Sequence, residues 1–425
     1  MPSRSDVHYF GAGPAPLPTP VLEQASQVLL NYNDKGIGIC EISHRSPEAN
    51  QILADAKNGL SNLLDIPDNY EILFLQGGGS GEFSAVVYHM ISIWVEKRRA
   101  AAEKELGPGK EAEVLERLRA EVQKELRMDY LVTGSWSLKA SQEAARLAGP
   151  ELVNVAVDAR KANDGKFGKI PAEDSWKLTP RTPGAAFTYF CDNETVDGVE
   201  FPSFPACLDS ADAAPVVADM SSNFISRRVD VRKYAVIFGG AQKNIGNAGI
   251  TIVIVRKDLL PPQSAMASST LLRQLGLPVG PVVLDWPTIA KNNSLYNTLP
   301  IFDVWVAGQV MKGLVEAFGD KKIAGQEQIS NEKAALLYGV LEKYPQIYRV
   351  VPDKSARSRM NLCFRVHGGD DAREKEFLSG AEKRGLQGLK GHRSVGGIRA
   401  SNYNAVSMDG ASKLAQYLEE FAQGA

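Results

Sequence analysis

Cysteine is scarce in this chain and never clustered. The 425 residues hold four, Cys40, Cys191, Cys207 and Cys363, with no CxxC pair and no Cys/His group at metal-ligand spacing. That argues against a disulfide scaffold or a zinc module, and no metal site is expected; the four read as free, mostly buried thiols. Long apolar runs are lacking too. Those around Ile250 to Val255 fall far short of the roughly 20 residues that span a bilayer. The stretch MPSRSDVHYFGAGPAP has no apolar h-region, so neither a secretory signal nor a membrane partner is expected, and the chain reads as soluble and cytoplasmic. Neither sign of charge dominates: 48 basic and 50 acidic residues give a formal net charge of -2. That offers no overall attraction to nucleic acid, so any basic site must be local.

What the chain does have is length and rhythm. Its size calls for two domains, or one large α/β domain with a smaller companion. The arm GAGPAPLPTP is too rich in Pro and Gly for a helix or a central strand. It is expected to run extended until Thr19 and Pro20 open a helix as N-cap and first helical residue. Seven short apolar runs then recur, each ended by turn residues: YEILFLQ, DYLVTG, ELVNVAV, AAFTYF, APVVADM, YAVIFGG and GITIVIV. Helical segments or long crossovers lie between several of them, which predicts a mainly parallel sheet covered on both faces. The charged stretch Glu96 to Leu126 is split by Gly107-Pro108-Gly109. It predicts a surface helical hairpin, docked through Val114, Leu118, Val122 and Leu126. The expected division is an extended arm over 1–18, a large domain over 19–296 and a small α+β domain over 297–425.

Several residues could carry chemistry. LQGGGSGEF sets four glycines between a strand and a helix, where backbone N–H groups could approach a phosphate; it matches neither Walker A nor GxGxxG, and a structural turn is the alternative. Asp219 ends a strand, where open α/β sheets bind ligands, although an N-cap or turn role would also suit it. Lys243 follows the next strand by three residues, so the two should project into one crevice. It could be a core-edge lysine that snorkels to solvent, but that leaves the surrounding glycines unexplained. A carboxylate and an amine so placed suit pyridoxal phosphate: one keeps the pyridine nitrogen protonated, the other condenses with the aldehyde. Trp136 could lie flat on that ring or simply pack in core. Thr195 could reach the ring's polar edge or be an ordinary loop residue.

Two His-Arg clusters remain, EISHRSPE with His44-Arg45 and KGHRSVGGIRASNYNA with His392-Arg393 and Arg399. Arginine forks bind carboxylate and phosphate in bidentate fashion, so two such clusters suggest a substrate with several negative charges. Isolated surface arginines are the plainer alternative for each.

With these residues assembled, the chain closely resembles the phosphoserine aminotransferases, class V aminotransferases with the type I pyridoxal-phosphate fold. GPAPLP, EISHRS, GGGSGEF, NETVDG, GGAQKNIGNAGITIVIVR, YNTLP and KGHRSVGGIRASNYNA carry the likeness from about residue 10 to about residue 405. The resemblance implies ping-pong transamination between L-glutamate and a phosphorylated oxo acid, 3-phosphohydroxypyruvate, in serine biosynthesis, and leaves open the related substrate of pyridoxine synthesis. It implies that Lys243 and Asp219 are catalytic, and that Gly79, Ser80, Trp136, Thr195 and Gln242 contact the cofactor. Asn297 and Thr298 would be lent to the phosphate by the second subunit of a homodimer. His44, Arg45, His392, Arg393 and Arg399 would bind substrate anions. Ser80 and Ala12 depart from the family pattern, standing where an arginine and a serine are frequent, and the 96–126 insertion has no role to transfer. A cysteine desulfurase on the same fold, or a nucleotide-binding protein using the glycine-rich loop, are the competing readings.

Overall fold

The seven apolar runs become the seven strands of one sheet. They are β1 (Tyr70–Leu75), β2 (Met128–Val132), β3 (Val153–Asp158), β4 (Phe187–Cys191), β5 (Val216–Asp219), β6 (Val236–Gly240) and β7 (Thr251–Arg256). Their spatial order is β1-β7-β6-β5-β4-β2-β3. The computed structural model describes residues 3–181 and 184–424. Neighbouring strands are parallel except for β7, which runs antiparallel to β1 and β6. The cause lies in the connection: residues 241–250 alone separate β6 from β7, too few for a parallel crossover, so the chain turns back and Thr251 pairs with Gly240. Lys243 stands in that return.

Both faces of the sheet are covered because alternate residues feed opposite cores. Ile72, Phe74, Ile252 and Ile254 enter one; Leu73, Leu75, Val253 and Val255 enter the other. The helices that matter for the site are α1 (Thr19–Val28), α2 (Pro47–Leu64), α3 (Gly78–Leu106), α4 (Glu111–Glu125), α5 (Ser135–Ala148), α6 (Ile301–Phe318) and α7 (Ile323–Lys343). Thr19 is not the N-cap of α1. Pro18 is, and the Thr19 hydroxyl accepts from Arg4 Nε at 3.0 Å, so the arm has already engaged the side chain that would have capped the helix.

The expected hairpin also takes a different form. α3 runs unbroken for 29 residues from the glycine-rich loop, so the first limb is only its outer end, from Glu96 to Leu106. α4 returns along it, with Val114 and Leu118 joining Ala102 in a small satellite core, while Val122 and Leu126 reach the core that holds Leu73 and Val253.

In the last third of the chain, α6 packs on α2 in the first core, where Val304, Ala307 and Met311 join Ile52, Leu53 and Ala56. A third core gathers Leu337, Leu341, Leu362, Phe364 and Phe377 around an antiparallel sheet of β8 (Tyr348–Val350), β9 (Asn361–Val366) and β10 (Ile398–Ser401). Phe10 of the arm is buried in it, and His8–Tyr9 pairs in parallel with Leu386–Gln387. The whole is α/β with a mainly parallel large sheet, followed by α+β structure. Among the described residues no helix is long and apolar enough to cross a membrane, and no group of three His, Cys, Asp or Glu side chains could hold a metal ion.

Candidate active site

The C-terminal ends of β4, β5 and β6 open onto one cleft, lined at its inner end by Gly79, Trp136, Thr195, Asp219, Gln242 and Lys243. Asp219 is buried, and its Oδ1 accepts from Ser221 N at 2.8 Å and Ser221 Oγ at 2.6 Å. Its Oδ2 makes no hydrogen bond among the described residues. Burial raises the carboxyl above its ordinary value, against the opposing effects of the Ser221 bonds and of nearby Lys243. Lys243 Nζ donates to Thr195 Oγ1 at 3.2 Å and stands 5.7 Å from the centroid of the Tyr403 ring. A buried acid with a free oxygen, and an amine on the next strand's turn, thus face the same space.

Trp136 is the second residue of α5, whose N-cap, Gly134, has no side chain to offer. The acids of NETVDG supply the cap. Glu194 Oε2 accepts from Trp136 N at 2.8 Å, Glu194 Oε1 from Ser137 N at 2.9 Å and Ser137 Oγ at 2.6 Å, and Asp197 Oδ2 from Ser135 N at 2.7 Å. Burial, and after it the neighbouring Asp197, push the Glu194 carboxyl up to about 8. These two acids anchor the indole in the cleft, and the sequence reading passed over them. The available signal was a pair of carboxylates three apart in a turn that follows a strand.

At the other end, Gly77 and Gly78 take φ of +110° and +64° before α3 rises. Glycine is what lets the chain turn there so that the first N–H groups of α3, at Gly78, Gly79 and Ser80, are left without intrahelical partners. Ser80 lies in this turn with an exposed side chain.

The outer cleft continues past Ala12 and Gly13 to His392 and Arg399. Arg399 Nη1 donates to Thr195 O at 3.2 Å, while its Nε is buried without a partner. His392 Nδ1 accepts from the Ser394 backbone N–H at 3.2 Å, so the neutral ring carries its proton on Nε2. Burial and then the nearby cations Arg399, Lys139 and Arg393 lower its pKa. An anion bound between them would reverse that shift.

The remaining expected groups are not brought into this cleft. Arg393 is exposed on the loop beyond His392. Arg45 Nη2 donates to Tyr296 O at 3.4 Å, Asn297 Nδ2 donates to Gln76 Oε1, and Gln76 Nε2 donates to Thr298 O at 3.2 Å. Asn297 and Thr298 therefore meet Gln76, just before the glycine-rich loop, with Arg45 on the neighbouring Tyr296, but none of the three lines the space around Lys243. His44, beside Arg45, has its Nε2 buried without a partner.

The matched family is described as Aminotransferase class-V, and the match covers residues 7–106 and 112–414, leaving out only the α3–α4 turn between them and the chain's ends. The chain is 43% identical to a Saccharomyces cerevisiae protein named phosphoserine aminotransferase, over 99% of this chain and 98% of that one. A Drosophila melanogaster protein of the same name is 40% identical, with 97% of each covered. Among solved structures, a PLP-bound phosphoserine aminotransferase from Trichomonas vaginalis superposes with a TM-score of 0.78 at 34% identity, over 97% of this chain and 99% of that chain. The chain belongs to the class-V aminotransferase family, whose members work with pyridoxal phosphate. The groups present fit that cofactor: an anion site at a helix start, an indole beside the cleft, a buried carboxylate with one oxygen unpartnered, and an amine.

Proposed function

We propose that the protein is a phosphoserine aminotransferase, exchanging an amino group between L-glutamate and 3-phosphohydroxypyruvate to give 2-oxoglutarate and O-phospho-L-serine in serine biosynthesis. The observation that carries this is the placing of Asp219 and Lys243 on adjacent strand ends, facing one cleft whose outer end holds Arg399 and His392. When bound, pyridoxal phosphate supplies an aldehyde for condensation with amines and a ring that takes up the electron pair left when a Cα proton departs. Asp219 Oδ2 is the oxygen free to hold the pyridine N–H, and that pairing relieves the burial of its charge. The Gly79 and Ser80 N–H groups would bind the phosphate, and Trp136 and Gln242 would bound the ring. Lys243 Nζ would hold the cofactor's aldehyde end and, when free, would move the proton, with Thr195 Oγ1 as its resting partner. Arg399 grips the α-carboxylate common to both substrates, and His392 Nε2–H donates to the second anion.

A homodimer with shared sites accounts for His44, Arg45, Asn297 and Thr298: their cluster would complete the anion set of a neighbouring subunit's cleft, with Arg393 joining it on loop closure. We place the protein in the cytoplasm, and divide it into the arm over 1–18, a large cofactor-binding domain over 19–296 and a small domain over 297–425. The oxo acid of pyridoxine synthesis, 3-hydroxy-2-oxo-4-phosphooxybutanoate, has the same two charged ends and would enter on the same terms. The desulfurase reading lacks its nucleophile. Cys191 does line the cleft, but it is buried on a strand and its thiol is raised well above the ordinary value.

The test is an assay with 2-oxoglutarate and either phosphoserine or unphosphorylated serine. Phosphoserine should be preferred by orders of magnitude in kcat/KM, and equal rates would remove the role given to the His-Arg groups.

A further inference from the structure

The motif that provides Arg399 runs on into Asn402–Asn404, and these residues grip the lysine turn. The Asn404 backbone N–H donates to Asn244 Oδ1 at 2.9 Å, and Asn244 Nδ2 donates to Phe224 O at 3.0 Å. Tyr403 is fully buried beside Lys243. Its hydroxyl donates to Ala12 O at 2.9 Å and accepts from Asn361 Nδ2 at 3.1 Å. Behind it the buried amine of Lys333 donates to Tyr403 O at 2.9 Å and Val406 O at 2.7 Å, fixing the backbone from which the phenol projects.

What the phenol holds is the arm. Phe10 O accepts from Ser401 N at 3.0 Å, and Ala15 N donates to Gln242 O at 2.8 Å. Between these two ties Gly13, at φ +132°, crosses the lysine stem so closely that a Cβ there would stand 2.8 Å from Lys243 Cε. Ala12, Gly13 and Pro14 therefore roof the lysine and also wall the outer cleft. The Tyr403 hydroxyl is the fastening midway along that span. Asn361 ties it back to the opposite wall, since its Oδ1 accepts at 2.8 Å from Asn193 Nδ2, two residues before the Thr195 that receives Lys243.

We propose that Tyr403 is a positioning residue of the reaction: its hydroxyl holds the Ala12–Gly13 peptide against the Lys243 side chain and so confines the amine to its place beside Thr195. This rests on the reading of Lys243 as the cofactor lysine. Tyr403→Phe keeps the ring and removes both hydroxyl bonds. In this variant, hydrogen exchange across Gly11–Ala15 should quicken about tenfold, with and without cofactor, while exchange in β4 and β5 stays as in the wild type. In the holoenzyme kcat should fall about tenfold, and the pH at which the cofactor absorbance titrates should move. Gly13→Ala, which displaces the same peptide from the lysine with the phenol intact, should reproduce the kcat loss.

Wild-type exchange in the arm of Tyr403→Phe would overturn the proposal. So would a kcat loss without faster exchange, because the hydroxyl would then act by another route. A wild-type protein that binds no pyridoxal phosphate would instead overturn the reading of Lys243, and the exchange measured without cofactor separates that failure from this one.

Discussion

The inner end of the cleft and its rim are built of different material. Asp219, Lys243 and Trp136 stand on strand ends and a helix start, and the groups that hold Lys243 and Trp136 are themselves buried: Thr195, Glu194 and Asp197 are each at most 6% exposed. Arg45, Arg393 and Thr298, the expected rim groups that this chain does not bring into its own cleft, are exposed on loops, and their contacts within the chain are few. A planar cofactor needs partners fixed in distance and angle, which packed elements provide; charged substrates must enter and leave through water, which loops permit. The inner end is therefore preformed within one chain. The rim is the part that the proposed second subunit would finish.

The largest effect should come from the inner end. Lys243→Ala should abolish the cofactor absorbance of the purified protein and lower turnover by more than about 10³-fold, since it removes both the covalent anchor and the proton carrier. Normal turnover in that variant would end the assignment. At the boundary between the two regions, Arg399→Ala should cost roughly 10- to 100-fold in each half-reaction, followed separately by stopped-flow absorbance, because the α-carboxylate is common to both substrates. A loss confined to one half-reaction would mean that Arg399 reads the distal group instead.

The rim yields a different kind of test. In the proposed homodimer, coexpressed Arg45→Ala and Lys243→Ala chains would form mixed dimers. If Arg45 serves the neighbour's cleft, each mixed dimer regains one whole site and activity returns; if it serves its own, every site keeps a defect and nothing returns.

The same division decides what could be read from the residues. Strands buried on both faces appear as unbroken apolar runs between turn residues, and even the edge strand β3, with Val155 exposed, keeps an apolar run, so all seven were legible, and with them the strand ends that bear Asp219 and Lys243. The reversal of β7 had a signal too, in the short gap between YAVIFGG and GITIVIV, which leaves no room for a parallel crossover; it lies in connection length and not in side-chain type. α3 looked like two elements, since apolar and charged stretches meet near Glu96, where the helix leaves the core without ending. The rim residues could be picked out as charged motifs, but motif composition does not say which chain's cleft they serve. Glu194 and Asp197 were passed over because a capping acid and a solvated loop acid look alike until the helix they cap is in place. Tyr403 sits within a motif already explained by its arginine.

The smallest predicted effect tests how the inner end is held. Glu194 titrates at about 8 in the folded chain against 4.5 when unburied, so between those values the folded state binds the extra proton and stability falls as pH rises. The slope from one such group is at most about 1.4 kcal/mol per pH unit. Glu194→Gln keeps the size and one acceptor oxygen for the α5 start but does not titrate. Its stability relative to wild type, measured by urea unfolding of the cofactor-free protein, should therefore improve steadily from pH 5 to pH 8. Parallel curves for the two proteins would mean that the carboxylate is ionised throughout, its burial offset by the three donors at the start of α5, and that Trp136 is anchored by a full charge.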